Sequence, residues 1–343
     1  MTINLQLKPR FVTAGIAALG VLFFWWFHLP LPFLLGPMFM CLVFALGGAQ
    51  MLGMGQLGMA FRTILGVAAG ASITPDVMTA LPEMALSLML VPVFVGCVAL
   101  ASFPMMRRVF KFDKVTSYYC AMPGGLQDLM VFGEAAGANL RALSLVHATR
   151  VLLIVSVTPF VLGMLWQVDL TSLPGNTASE TPWQQVAWMI FAGLAGWAIA
   201  KRLNILGGSI IGPMVLTAGL SLSGVITQRP PAEMIWACQF FIGMAVGSKY
   251  VGVTWRELRR VVLAGVANGI LLATMSAVFI LLVSGLAIAP ALNAFLAFLP
   301  GGQGEMVVLA IIAGADLTYV VLHHILRIAL VVMLAPTLIT RLR

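Results

Sequence analysis

Two stretches of the chain align without a gap, and their match decides the organisation of the whole sequence. They are MPGGLQDLMVFGEAAGANLRALSLVHATRVLLIVSVTP (residues 122–159) and LPGGQGEMVVLAIIAGADLTYVVLHHILRIALVVMLAP (residues 299–336). Matched residues lie 177 positions apart, so that Pro123 corresponds to Pro300. A match of this length, which includes prolines, histidines and arginines at fixed positions, indicates an internal duplication.

Shorter matches extend the duplication towards the N-terminus. The segment LLGPMF at 34–39 corresponds to IIGPMV at 210–215, and LGVAAG at 65–70 corresponds to IGMAVG at 242–247, at nearly the same spacing. The sequence therefore divides into repeat 1, a linker and repeat 2, at residues 1–165, 166–183 and 184–343.

The composition is that of a membrane protein. Of the 343 residues, 61% are hydrophobic and only 9% are charged, whereas about 25% are charged in soluble domains. Apolar runs close to the roughly 20 residues needed to cross a bilayer recur along the whole chain. The lipid bilayer is thus the expected surrounding, and no segment is left for a large soluble domain.

Apolar runs between charged residues or Pro/Gly breaks predict ten membrane spans. Two further stretches, 115–140 and 289–314, are interrupted by MPGG and LPGG, and we interpret both as re-entrant helical hairpins. The predicted spans are 11–28, 33–52, 57–74, 84–105, 143–165, 184–201, 206–226, 233–250, 261–285 and 317–339.

Five spans and one re-entrant hairpin in each repeat give an odd number of crossings, so the two repeats should have opposite orientations. Loop charges agree, because positive residues favour the cytoplasmic side. The loop with Arg107, Arg108, Lys111 and Lys114 corresponds to the uncharged segment 284–290. With both termini cytoplasmic and the 166–183 linker periplasmic, nearly all basic loops lie inside, with Arg229 as the exception.

The sequence therefore predicts an all-α polytopic membrane protein with about ten transmembrane helices, arranged as two inverted-topology five-helix repeats, each with a re-entrant helical hairpin. Secondary transporters have this architecture, and their interrupted helices meet near the midplane to form the substrate site. Gly124, Gly125, Gly301 and Gly302 would present free amide N–H groups and the positive ends of two helix dipoles. These features favour a bound anion.

Two arginines within apolar spans strengthen this interpretation. Arg150 and Arg327 need a partner, because an unpaired guanidinium inside a membrane costs several kcal/mol. His147 and His324 precede them by three residues, which places each His–Arg pair on one helix face. The candidate partners are Asp128 and Glu305, a carboxylate or sulfonate substrate, or both. Alternatively, each His–Arg pair is a structural tie between the last helix of its repeat and the hairpin.

Two carboxylates follow the glycines, and they also have alternative roles. Asp128 and Glu305 would carry or bind a coupling ion, H⁺ or Na⁺, with His147 and His324 in a proton relay. Alternatively, they stabilise a helix N-terminus. Asn139 and Asp316 have the positions of helix caps. His323 corresponds to Val146, and we assign it no role.

Several other functions have no support in the sequence. The four isolated cysteines form no CxxC pair, and their apolar surroundings predict small core residues. HExxH, Walker and GxSxG motifs are absent from the sequence, and it offers no basic domain for DNA. We therefore expect no catalytic residue, metal site or nucleic-acid partner. The pairs Gly66/Gly70 and Gly243/Gly247 are typical of close helix packing, with a second broken helix as the alternative.

The duplicated block resembles the AbrB family of integral membrane proteins of Gram-negative bacteria, whose members are labelled regulators of gene expression or ammonia monooxygenases. The resemblance covers almost the whole chain and implies a multi-pass protein of the inner (cytoplasmic) membrane. It includes the PGG, acidic, His and Arg positions of both repeats, whereas Gln127 and Gly304 differ between the copies.

Three functions follow for testing. The first is a secondary transporter for a small organic anion, working by alternating access and coupled to H⁺ or Na⁺. The second is a membrane sensor that affects gene expression indirectly through a bound or transported solute. The third, a redox enzyme, would need several converging metal ligands, and only one aligned histidine per repeat is present. Substrate, transport direction and oligomeric state, including a homo-oligomer, are left open.

Overall fold

The structure is a computed structural model that describes the backbone of residues 2–170, 174–205 and 207–342. Within these ranges it describes all side chains except those of residues 2–7, 76–81, 127–128 and 335–342. Every regular element in these ranges is helical. The α-helices are α1 (Thr2–Trp26), α2 (Pro32–Leu46), α3 (Gln56–Ala71), α4 (Pro75–Pro104), α5 (Lys114–Ala121), α6 (Leu126–Ala136), α7 (Leu140–Trp166), α8 (Trp183–Arg202), α9 (Gly208–Leu222), α10 (Ala232–Gly247), α11 (Trp255–Glu257), α12 (Leu263–Gly285), α13 (Ala291–Phe298), α14 (Gln303–Ile312) and α15 (Leu317–Leu342).

Among the described residues, five helical segments are long and apolar enough to cross a membrane, as a multi-pass membrane protein requires. They are Lys8–Trp26, Pro82–Val109, Leu140–Trp166, Trp255–Gly285 and Leu317–Leu334. Two of them include short π-helical stretches, Met105–Val109 and Leu258–Val262. Shorter apolar helices add to these, among them α2 and α9. Large apolar side chains remain exposed along the long helices, as lipid contact requires; Met164, for example, is 84% exposed.

The chain forms two compact units. Unit 1 consists of Met1–Met78, Thr158–Val253 and Val307–Gly314, and unit 2 consists of Thr79–Val157, Thr254–Met306 and Ala315–Arg343. Each unit therefore draws its helices from both halves of the sequence.

Close helix contacts in unit 1 depend on glycine. A Cβ on Gly70 would lie 2.7 Å from the Cβ of Thr217 on α9, and a Cβ on Gly247 would lie 2.7 Å from the Cβ of Cys41 on α2. The α3 helix ends one residue after Gly70, and α10 ends at Gly247, so neither helix is interrupted between its paired glycines. The predicted close packing at these glycines is confirmed.

In unit 2, α12 packs against α7 and α13, and α15 contacts α5, α6 and α13. Residues Gln303–Met306 of α14 also belong to unit 2, whereas the rest of α14 belongs to unit 1. Asn268 of α12 donates to the carbonyl oxygen of Cys120 at 3.1 Å, and Ser276 of α12 donates to that of Phe298 at 2.9 Å. These bonds satisfy the last carbonyls of α5 and α13, which have no partner within their own helices.

Side-chain caps begin the last helix of each repeat. Asn139 Oδ1 accepts from the Ala142 amide at 3.0 Å, and Asp316 Oδ1 accepts from the Tyr319 amide at 3.1 Å. The predicted capping roles are confirmed. The prediction for the cysteines holds only in part, since Cys97 is exposed whereas the other three are buried.

Candidate functional site

Each hairpin is interrupted by its Pro-Gly-Gly sequence. Met122 and Leu299, which precede the prolines, have ψ angles of 130° and 132° and are extended. Proline disfavours the helical conformation in the residue before it and has no N–H to continue the helix. The helix therefore stops at the same place in both hairpins, and carbonyl oxygens around each break are free to accept other donors.

In the first hairpin, these oxygens accept hydrogen bonds from α7. The Nε2 atom of His147 lies 3.0 Å from the carbonyl oxygen of Tyr119. The two Nη atoms of Arg150 donate to the carbonyl oxygens of Met122 and Gly124 at 3.4 and 3.3 Å. Both donor side chains are buried. The pair thus ties α7 to both sides of the break.

The second hairpin has the same bonds from α15. His324 Nε2 lies 3.0 Å from the carbonyl oxygen of Leu296, and Arg327 donates to those of Leu299 and Gly301 at 3.2 and 3.3 Å. The sequence separations of donor and acceptor are 28, 28 and 26 residues in both hairpins. The duplicated block therefore folds into the same local hydrogen-bond arrangement twice.

One bond distinguishes the two pairs. Arg327 Nη2 lies 2.9 Å from His324 Nδ1. Because a carbonyl oxygen only accepts, His324 Nε2 carries the proton, and Nδ1 accepts from Arg327. By the same argument His147 Nδ1 is an acceptor, yet it has no partner among the described residues. The His–Arg hydrogen bond is thus present in the second pair, whereas in the first pair no described residue bonds to Nδ1 of His147.

Both guanidinium groups retain a buried donor. The Nε atoms of Arg150 and Arg327 have no hydrogen-bond partner within the described parts of the chain, and the side chains are 2% and 4% exposed. The carboxylate of Glu305 attracts the guanidinium of Arg150, whereas the positive charges of Arg150 and Arg327 repel each other. The arginines of the two repeats therefore share one electrostatic environment within unit 2.

Glu305 lies at the beginning of α14, where its carboxylate folds back over Gly302. A Cβ on Gly302 would lie 2.8 Å from the carboxyl carbon of Glu305. A carboxylate in the first turn of a helix interacts favourably with the helix dipole, so this position fits the predicted helix-stabilising role. The side chain of Asp128, the corresponding acidic residue, lies outside the described residues.

The four predicted glycines differ in their surroundings. Gly124 and Gly301 are buried, and a Cβ on Gly124 would lie 2.7 Å from Cγ1 of Val331. Gly125 and Gly302, which directly precede α6 and α14, are partly exposed. The helix N-termini are therefore more accessible than the breaks that precede them.

A buried polar cluster in unit 2 was missed by the sequence analysis, which gave His323 no role. His323 donates from Nδ1 to the carbonyl oxygen of Tyr319 at 2.7 Å, and its Nε2 accepts from Ser87 Oγ at 2.8 Å. The Ser87 hydroxyl also bonds the hydroxyl of Tyr319. The corresponding residues, Ala264, Val146 and Ala142, are apolar, and this coordinated difference was the available signal.

Comparison with known proteins places the chain in a family. The sequence profile described as "Transition state regulatory protein AbrB" matches residues 33–343. A Bacillus subtilis protein named "Uncharacterized protein YhjN" is 27% identical over 293 residues, which cover 80% of this chain and 76% of the relative. The Escherichia coli protein named "Putative regulator AbrB" is 24% identical over 326 residues, 91% of this chain and 90% of the relative. No solved structure matches the chain. The predicted family is confirmed: the chain belongs to the AbrB family.

Proposed function

We propose that the chain is a secondary transporter for a small organic anion of the carboxylate or sulfonate type. The observation that carries the proposal is the pair of buried arginines, each beside a helix break in unit 2 and each with an Nε donor that no described residue uses. Buried guanidinium groups bind planar anions strongly. An anion at this position would satisfy donors that are otherwise costly to bury.

The proposed fold behind this function has ten spans in two inverted five-helix repeats, with re-entrant hairpins at 115–140 and 289–314. The identical hydrogen bonds around Pro123 and Pro300 support the duplication, and helices occur in all ten predicted spans. Transport would occur by alternating access in the inner membrane, with both termini cytoplasmic.

In the proposed site, Arg150 and Arg327 bind the anion together with amide groups after Gly124, Gly125, Gly301 and Gly302. Asp128, His147, Glu305 and His324 serve the coupling ion, H⁺ or Na⁺. His147 is suited to this role because its Nδ1 lone pair is unused by the described residues. The proposal includes no catalytic residue, no resident cofactor, no metal site and no nucleic-acid partner.

The experiment is flux measurement in liposomes that contain the purified chain. A panel of labelled carboxylates and sulfonates is presented with an imposed H⁺ or Na⁺ gradient. Transport that depends on the gradient and is lost in Arg150→Gln, but kept in Arg108→Gln, supports the proposal. Arg108 is a suitable control because it is an exposed basic residue away from the breaks. Absence of flux for the whole panel contradicts it.

A second function, sensing of the same kind of anion, is favoured by the names of the family and of the Escherichia coli relative, both of which refer to regulation. In this case the solute binds in unit 2 and affects gene expression indirectly. Thermal stabilisation by an anion, with no flux under any gradient, would favour the sensor over the transporter.

A further inference from the structure

An apolar groove between α8 and α9 lies in unit 1, apart from the arginines. Its volume is about 380 Å³, which is within the usual range for small-molecule sites of about 300–1,000 Å³. Its wall includes Ile199, Ala200, Leu203 and Val215. Nearly all of its lining surface is apolar, so a polar solute would gain little from entering it.

The duplication allows the groove to be compared with the same place in the first repeat. The pairs α1–α2 and α8–α9 cross at matched glycines: a Cβ on Gly36 would lie 2.5 Å from the Gly20 oxygen, and a Cβ on Gly196 would lie 2.6 Å from the Gly212 oxygen. Around the first crossing, rings of the first repeat pack together; those of Phe24 and Phe39 are 6.0 Å apart.

Aliphatic side chains occupy the corresponding positions in the second repeat. Five phenylalanines of the first repeat correspond to aliphatic lining residues of the groove at a spacing of 176; the pairs are Phe23 and Ile199, Phe24 and Ala200, Phe27 and Leu203, Phe39 and Val215, and Phe44 and Leu220. The same helix crossing thus has ring-sized side chains in one repeat and an open groove in the other.

The charge at the C-terminal end of α8 also differs between the repeats. Lys201 and Arg202 are exposed in the last turn of α8 and lie next in sequence to Ala200 and Leu203 of the groove wall, whereas the corresponding residues are Trp25 and Trp26. Basic groups at this helix end, together with an apolar groove along the helix, are complementary to a molecule with one anionic end and a hydrocarbon chain. Basic residues next to membrane helices attract anionic lipids.

We propose that this groove binds an anionic phospholipid, with an acyl chain along α8 and α9 and the headgroup at Lys201 and Arg202. The assignment rests on the membrane character of the chain and is independent of the proposed transport. In the proposed orientation these residues lie on the cytoplasmic side, where anionic lipids are enriched.

The test is native mass spectrometry of the purified full-length chain, delipidated and then titrated with phosphatidylglycerol or with phosphatidylcholine. We expect one molecule of phosphatidylglycerol to remain bound, with weaker retention of phosphatidylcholine. The variant Lys201→Gln/Arg202→Gln should lose roughly tenfold or more in affinity for phosphatidylglycerol. Arg256→Gln/Arg259→Gln removes two other exposed basic residues and should change little.

A second variant tests the groove itself. Ile199→Phe/Leu203→Phe/Val215→Phe restores three rings of the first repeat at positions that are 52%, 66% and 62% exposed, so folding should be preserved. It should abolish retention of the lipid, whereas Ile190→Phe/Leu194→Phe, on exposed α8 positions outside the groove, should not.

Three results would overturn the proposal. The first is equal retention of both lipids, and the second is unchanged binding in the charge variant. In the third, the ring variant converts a dimer to a monomer without affecting the lipid, which would identify a second copy of the chain as the occupant.

Discussion

His324 accepts a hydrogen bond from Arg327 at 2.9 Å, and this bond distinguishes the second hairpin from the first, where the bond is absent between the described atoms of His147 and Arg150. The two pairs otherwise make the same bonds to backbone carbonyls. Duplicated positions thus allow one pair to serve as the control for the other.

The first prediction concerns energetic coupling within each pair. A double-mutant cycle with His324→Gln and Arg327→Gln should give a coupling of about 1 kcal/mol, since hydrogen bonds contribute about this much and a charged donor more. The same cycle at His147 and Arg150 should give a value near zero. Thermal unfolding in detergent measures both cycles, and equal couplings would contradict the asymmetry.

The second prediction concerns the fit between Gly302 and Glu305. Gly302→Ala should destabilise the protein by about 1–3 kcal/mol, because its Cβ would overlap the carboxylate of Glu305 and force it to move. In a Glu305→Ala background, the same substitution should cost much less. Gly301→Ala is the control, since its Cβ would meet Met306 and not Glu305, so its cost should be the same in both backgrounds. Equal costs of Gly302→Ala in both backgrounds would show that the carboxylate does not occupy this position.

The third prediction concerns helix contacts in unit 1. Gly70→Ala should cost about 1–3 kcal/mol of stability, because the added methyl group would lie 3.0 Å from the backbone nitrogen of Ala218. Gly96→Ala in α4, where a Cβ meets nothing within 4 Å, should instead stabilise by up to about 1 kcal/mol through helix propensity. A neutral Gly70→Ala in thermal unfolding would argue against the close contact with α9.

The fourth prediction concerns the buried polar cluster. His323→Val alone should destabilise by about 1–3 kcal/mol, since it leaves the Ser87 hydroxyl without its acceptor in an apolar environment. Adding Ser87→Ala should recover part of this loss and would place apolar residues at both positions, as at the corresponding residues Ala264 and Val146. If the two substitutions instead lower the free energy of unfolding additively in chemical denaturation, the Ser87 hydroxyl has another acceptor.

The structural features that occur in both repeats could be predicted from the sequence alone. Pro123 and Pro300 marked both helix breaks, because proline acts on its neighbours independently of tertiary structure. The caps at Asn139 and Asp316 were predictable for the same reason, since capping is local. The glycine pairs in α3 and α10 likewise indicated close packing.

Features that join distant segments were not predictable. The partner of Arg150 could be a substrate, a carboxylate or a carbonyl, and sequence spacing does not distinguish them. His323 was assigned no role because its counterpart is Val146, yet its partner Ser87 lies 236 residues away. The groove beside α8 became visible only once helix contacts showed which residues surround each crossing.

The arginine ties have a consequence for how this sequence can vary. Arg150 and Arg327 donate to main-chain oxygens, which every amino acid supplies, so these bonds do not depend on the identity of the side chain before each proline. Methionine occupies that place in one copy and leucine in the other. The two repeats can therefore differ in sequence around the helix break while the hydrogen bonds from the arginine to the backbone are kept.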